Sequence, residues 1–186
     1  NAVVVEMPLG AVPGLAERED VLYIEPQNAG EEPPQSVADG RAQVASDPYF
    51  DLGLAGGWIG LLDTGIYSSH ELFNSPSHIG SMLDCVNGGA NCNTGSGFDP
   101  SDDCYDHGTA SAAIITANDN EGDASRGVTG ITLHSFKVYE YNCGGLNAKA
   151  AVRGFEATVA VLNRVIVAEI QGCGNDRSSI SSAADN

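Results

Sequence analysis

The chain has 186 residues, 42% of them hydrophobic and only 6% aromatic, with 23 Gly; that is enough for one domain with a buried core, closely packed through small residues and tight turns. Its 25 acidic residues against 8 Lys and Arg give a net charge of −17, which argues against nucleic acid and against anionic membrane surfaces, since both need basic contacts. No apolar run reaches about 18 residues, so no transmembrane helix is expected, and no signal peptide is visible.

In chain order, residues 1–27 read as strand, short helix, strand: Val3-Val-Val5, then Val12 to Asp20, then Val21-Leu-Tyr-Ile24. The abrupt start inside a strand-like run points to an upstream part removed or omitted. Residues 28–48 turn polar, with a Pro pair at Pro33-Pro34, and read as an exposed linker. Residues 49–58 lead into Trp58-Ile-Gly-Leu-Leu-Asp63-Thr-Gly-Ile66, a short apolar run that reads as a fully buried strand of a parallel sheet. Asp63 stands where that strand stops, the edge of α/β sheets at which catalytic groups gather; the plainer role for such an acid is to cap the next turn.

Residues 74–103 read as a long loop region holding Cys85, Cys92 and an acidic run, Asp99-Pro-Ser-Asp102-Asp103. Clustered carboxylates could hold calcium, but they lack the spacing of a known loop motif and read as a solvated acidic surface. Asp106-His107-Gly-Thr-Ala-Ser-Ala-Ala-Ile-Ile-Thr116 reads as a buried helix with small residues in its first turns and Ile114 and Ile115 on its apolar face. Residues 131–139 suit a strand, Ala148 to Leu162 a helix, Arg164 to Ile170 a buried strand, and Arg177 to Asn186 the start of another helix.

A buried carboxylate holding an imidazole is the base half of a nucleophilic hydrolase; either residue alone has an ordinary structural reading. Together Leu-Leu-Asp63-Thr64-Gly65-Ile66 and His107-Gly108-Thr109 resemble the aspartate and histidine signatures of the subtilisin-like serine peptidases, the subtilases. The Asp-then-His order agrees with that family. Gly127-Val-Thr-Gly-Ile131 and Leu133-His-Ser-Phe-Lys137-Val138 resemble its helix-end turn and next core strand. The resemblance covers about residues 1–175.

That resemblance implies an α/β, three-layer subtilisin-like fold with a mostly parallel sheet, incomplete in this chain. Its parts would be a remnant of the inhibitory propeptide at 1–27, a linker with a processing site between about Gln27 and Ala45, and the N-terminal part of the catalytic domain at 49–186. It implies a serine endopeptidase in which Asp63 and His107 are catalytic, with Gly144 and Gly145 on one wall of the peptide cleft and Gln171 and Gly172 on the other. The family usually has Ser-Leu-Gly at that second wall, so Glu169 and Gln171 are departures. His70 matches a position often His in the family and reads as structural, while Leu72 stands where an acidic calcium ligand is frequent. No cofactor is required; calcium is possible as a structural ion. The family's second His is Ala110 here.

The serine motif Gly-Thr-Ser and the oxyanion asparagine find no counterpart, so this polypeptide alone is expected to be inactive, its partner being the rest of the catalytic domain on a further segment or a second chain. Five cysteines without zinc spacing suggest secretion and disulfides, with Cys85–Cys92 and Cys143–Cys173 as pairings; five reduced thiols are the alternative. Two other classes of function compete: a catalytically inactive pseudo-peptidase or regulatory peptide-binding subunit, and a small acidic calcium-binding or adhesion module.

Overall fold

The structure, a computed structural model, describes residues 8–21, 37–52, 56–87, 89–101, 106–142, 144–170 and 184. Two compact units divide the chain, residues 1–33 and 34–186. In the first, the expected short helix is α1, Val12–Ala16, entered through a 3₁₀ turn at Leu9–Ala11, with Pro at its first turn where no N–H is needed. The two strands expected around it lie outside the described residues.

The second unit is built on a four-stranded parallel sheet in the order β2-β3-β1-β4: β1 is Trp58–Asp63, β2 Ile79–Asp84, β3 Leu133–Lys137 and β4 Asn163–Ala168. β1 and β3 lie at the centre. Every residue of β3 is buried, and all of β1 after Trp58, as near-continuous apolar runs of parallel sheets require. Two core clusters lie on opposite faces. Leu62, Phe136 and Val138 meet Ala150, Ala151 and Phe155 of α5, Ala148–Ala160. Ile59, Leu61 and Leu133 meet Ile66, Phe73 and Ala112 of α4, His107–Thr116. Helix, sheet, helix is the expected three-layer α/β fold. α5 starts where Asn147 accepts the Ala150 N–H at 2.9 Å, an ordinary N-cap.

Four expectations need correction. Residues 74–103 are not all loop, because Ile79–Asp84 is β2; Gly80 and Ser81 interrupt its apolar pattern, and as an edge strand it is only partly buried. Residues 28–48 are not all exposed linker either. Val37–Val44 forms α2 and Asp47–Asp51 forms α3. β4 is expected to be buried but is mostly exposed, with Val165 53% and Ile166 36% accessible: it forms the other edge of the described sheet and has a strand on one side only. Ile114 faces out at 52%, because α4 buries Gly108, Thr109, Ala112 and Thr116 instead.

What holds α2 and α3 is charge. Arg41, 1% exposed, donates to the Arg126 carbonyl at 2.6 Å, the Asp123 carbonyl at 2.9 Å and Asp47 Oδ1 at 2.7 Å. Arg126 reaches Asp47 and Asp51, both at 2.9 Å, and stacks 4.3 Å above Phe50. The buried Arg41 guanidinium is tolerated because its Nε and both terminal nitrogens find acceptors, whereas Arg126 keeps its buried Nε without a partner among the described residues. Hydrogen bonds from Arg41 and Arg126 hold the Asp47 carboxyl below its usual range, so this clasp is at full strength above the carboxylate range and weakens in acid.

A second pH dependence sits in β3. His134 of β3 is 8% exposed, lies 4.9 Å from the Trp58 ring, and its Nδ1 is buried without a hydrogen-bond partner. Burial pushes its imidazole below the ordinary 6.5. The unfolded chain therefore takes up a proton that the fold refuses, and stability falls as pH drops below about 6.5, by up to about 1.4 kcal/mol for each pH unit. His134→Phe keeps the ring and removes the titration. The gap in melting temperature between variant and parent should widen from pH 7 to pH 5 in thermal scans; a constant gap would refute it.

Candidate active site

The two signatures identified in the sequence converge at the carboxyl end of β1. Asp63 is fully buried, and its Oδ1 lies 2.8 Å from Nδ1 of His107, whose side chain is 54% exposed. Asp63 Oδ1 also accepts the Thr64 N–H at 2.6 Å, while Oδ2 is buried with no hydrogen-bond partner among the described residues. One end of the imidazole is thus held from inside the protein while much of the ring remains open to solvent.

The sequence explains the pairing residue by residue. After Asp63 the chain turns through Gly65 at φ +110°, where a side chain would be strained and a Cβ would stand 2.3 Å from the Ser101 carbonyl. Thr64 Oγ1 accepts the Gly108 N–H at 2.9 Å, and Thr109 Oγ1 accepts the Tyr67 N–H at 3.0 Å. The threonine of each signature therefore binds the backbone of the other segment. Gly108 permits the contact: a Cβ there would lie 2.2 Å from the Gly65 carbonyl. Asp106 precedes the histidine in the left-handed region, φ 50° and ψ 18°, a conformation that Asp tolerates better than most residues.

Gly108→Ala tests this packing. Alanine gains about 1 kcal/mol in helix propensity, but the overlap with Gly65 costs about 1–3 kcal/mol and must move the start of α4. The variant is expected to melt lower than the parent despite the better helix former. An unchanged melting temperature would sink the account.

Residues not singled out as site residues in the sequence complete the surroundings. Asp63, Lys137 and Asp84 end adjacent strands and are register partners across the sheet. Lys137 is fully buried and donates to the Thr64 carbonyl at 2.7 Å and the Ser101 carbonyl at 3.0 Å, so it ties the turn after Asp63 to the loop before α4. Asp84, also fully buried, accepts the N–H groups of Val86 at 2.8 Å, Asn87 at 3.4 Å and Asp99 at 3.2 Å, and the hydroxyl of Tyr141. Burial first, then the Asp84 carboxylate, pushes the Tyr141 hydroxyl up to about 12. Polar residues at the ends of apolar strands were the available signal; apart from Val86 and Asn87, the partners of Asp84 and Lys137 lie well away in sequence.

Other expected residues are placed as follows. Gly144 and Gly145 form a turn beside β3: Gly145 accepts the Glu140 N–H at 3.0 Å and Gly144 donates to Tyr141 at 3.1 Å. Gln171 and Gly172 lie outside the described residues. His70 Nδ1 accepts the Leu72 N–H at 3.3 Å, a cap on the 3₁₀ turn Glu71–Phe73. Gly127 donates to the Ala117 carbonyl at 2.9 Å, closing the turn after α4. Cys85 and Cys92 form a disulfide; Cys104, Cys143 and Cys173 lie outside the described residues. Among the described residues no group of three or more His, Cys, Asp or Glu could hold a metal ion, and Asp102 and Asp103 fall outside them. No described helix is long and apolar enough to cross a membrane.

A parallel α/β sheet with a buried carboxylate and a half-open imidazole at the carboxyl end of a central strand belongs to the hydrolase class of sites. The profile of the subtilase family, Peptidase_S8, matches residues 55–184, and the chain belongs to that peptidase family. Among solved structures, one described as the Clostridium perfringens CspB protease superposes with a TM-score of 0.55 at 21% identity, over 70% of this chain and 32% of that one. That likeness is one of fold, and the chain spans about a third of that structure's length. No curated protein matches it in sequence.

Proposed function

We propose that the chain contributes the acid and the base of a serine endopeptidase, with the nucleophilic serine and the oxyanion asparagine supplied by a segment that packs against it. The observation that carries this reading is the 2.8 Å contact between the buried Asp63 carboxylate and Nδ1 of the exposed His107. Such a contact selects the tautomer with its proton on Nδ1, leaving Nε2 as the acceptor. His107 would take the serine proton as the hydroxyl attacks a peptide carbonyl, then deliver it to the leaving amine; Asp63 would stabilise the imidazolium between the two steps.

Three further observations support a divided catalytic domain. No Gly-Thr-Ser occurs in the sequence. β4 leaves its outer edge unpaired among the described residues, with Leu162, Val165 and Ile166 exposed along it, a surface suited to a further strand or helix. Asp63 Oδ2 is buried without a donor, a cost that a hydrogen bond from an added segment would relieve. Gly144 and Gly145, with Gln171 and Gly172, would flank an extended substrate whose backbone pairs with theirs. The Cys85–Cys92 disulfide supports a secreted enzyme.

Residues 1–27 fit a propeptide remnant, released by cleavage after Gln27. α2 and its buried Arg41 disfavour cleavage within 37–44, which narrows the site to residues 28–36. N-terminal sequencing of secreted material should find a new terminus in that window. A fluorophosphonate probe applied to the complete protein should label one serine, and His107→Ala should abolish the labelling. A folded, complete protein with no labelled serine would instead be the inactive peptide-binding form.

A further inference from the structure

We propose that the cavity lined by Asn87, Gly97, Phe98, Asp99 and Tyr141 is a substrate subsite for a cationic side chain, Lys or Arg, next to the Asp63–His107 pair; this rests on the peptidase reading above and names the kind of peptide it acts on. The cavity is an open depression of about 390 Å³, room for one long side chain laid along its surface. Its position follows from the backbone. Phe98 and Asp99 directly precede Pro100, whose carbonyl accepts the Ile66 N–H at 3.3 Å, and Ser101, whose carbonyl accepts the Lys137 ammonium that also binds Thr64. The wall of the cavity is therefore bonded to the turn immediately after Asp63.

The cavity is built from beneath by one buried group. Asp84 accepts hydrogen bonds from the Asn87 N–H, the Asp99 N–H and the Tyr141 hydroxyl, so three of the five lining residues are held by one carboxylate. Asn87 Nδ2 also donates to the Tyr141 oxygen at 3.1 Å. Asp99 is exposed, and its Oδ1 accepts the N–H of Ser101 at 3.1 Å and its hydroxyl at 2.5 Å. The disulfide between Cys85 and Cys92 and the pairing of Asp84 with Asn93 close the loop that carries Asn87. The rim is thus fixed before any ligand arrives, which lowers the ordering cost of binding.

Its chemistry selects the occupant. Two aromatic rings, a carboxylate and a carboxamide suit a cation with a long apolar stem: the stem lies against the rings and the head meets Asp99. A guanidinium can also satisfy a carboxylate in two-pronged fashion. Among the described residues the nearby charges are Asp84 and Asp99, Lys137, 5.3 Å from the centre of the Tyr141 ring, and Arg153, which donates to the carbonyls of Cys85 and Val86; both cations are engaged by backbone carbonyls, so the exposed Asp99 carboxylate is the charge a ligand meets, and the chain's net charge of −17 adds long-range attraction. An acidic side chain would be repelled here, and an aliphatic one would cover Asp99 without pairing it.

The test is a titration of the full 186-residue chain, followed through its backbone amide resonances, with N-acetyl-arginine methylamide and with the neutral isostere N-acetyl-citrulline methylamide. The arginine compound should shift the amides of Asn87, Phe98, Asp99 and Tyr141 and bind at least about fivefold more tightly than citrulline. Asp99→Asn, which keeps an acceptor for Ser101, should erase that preference and leave the citrulline affinity unchanged. Equal affinity for the two compounds, shifts confined to other parts of the chain, or a preference that survives Asp99→Asn would each overturn the proposal. The peptidase reading fails separately: a complete protein that binds arginine in this cavity yet carries no reactive serine keeps the subsite and loses the enzyme, and one that cleaves peptides without regard to arginine or citrulline does the reverse.

Discussion

Replacing His107 with Ala is expected to lower kcat of the complete protease by on the order of 10⁶ while leaving the fold intact; the size is that found in subtilisin, a member of the same family. On the proposed mechanism the imidazole would act twice in each turnover, as acceptor of the serine proton and as donor to the leaving amine, so its removal would leave the hydroxyl at its unaided reactivity. Structure argues that folding should survive. The His107 side chain is 54% exposed, so little apolar burial is lost, and water can occupy the vacated place beside Asp63 Oδ1. The measurement is steady-state hydrolysis beside a circular-dichroism melt. Wild-type turnover by a folded variant would refute the role of His107. A variant that fails to fold would show that the pair is structural.

Asp63→Asn should cost about 10⁴ in kcat. Both donors to Asp63, the Thr64 N–H at 2.6 Å and the imidazole Nδ1 at 2.8 Å, reach the same oxygen, Oδ1. An asparagine has two ways to sit there. If its carbonyl keeps both contacts, the histidine tautomer is preserved but the negative charge that stabilises imidazolium is gone, and an amide NH₂ is buried where Oδ2 had no partner. If the amide turns over, its NH₂ faces Nδ1, the imidazole proton moves to Nε2, and the base cannot accept. On the proposed mechanism either outcome would remove an interaction worth more in the transition state than in the ground state, so kcat should fall with KM little changed. A drop confined to KM would assign Asp63 to substrate binding instead.

Much of this was legible in the sequence because it is local. The apolar run at 58–62 ending in an acid made β1 and its end recognisable, and the small residues after His107 made the start of α4 recognisable. The glycines of both signatures were visible as letters, but their reason was not. Gly65 and Gly108 are required because a carbonyl approaches each from a distant part of the chain, Ser101 in one case and Gly65 in the other. β2 was missed because Gly80 and Ser81 break its pattern and only the neighbouring β3 makes it a strand. α2 was missed because, among its described side chains, the buried one is Arg41, which composition reads as surface and which burial permits only through acceptors at Asp47, Asp123 and Arg126.

By itself the sequence pointed to the class of fold and to the acid and base of the candidate dyad, through two signatures that each lie within a short stretch and resemble those of the subtilases; the Cys85–Cys92 pairing was one expectation beside five reduced thiols. Only the tertiary structure decided that Asp63 and His107 touch, that Asp63, Lys137 and Asp84 stand side by side at the sheet's end, and that Asp84 assembles a cavity from Asn87, Asp99 and Tyr141. Those facts depend on strand order and register, which set neighbours between residues far apart along the chain, and the hydrogen bonds of 2.7–3.2 Å between such residues are satisfied or lost only once that register is made.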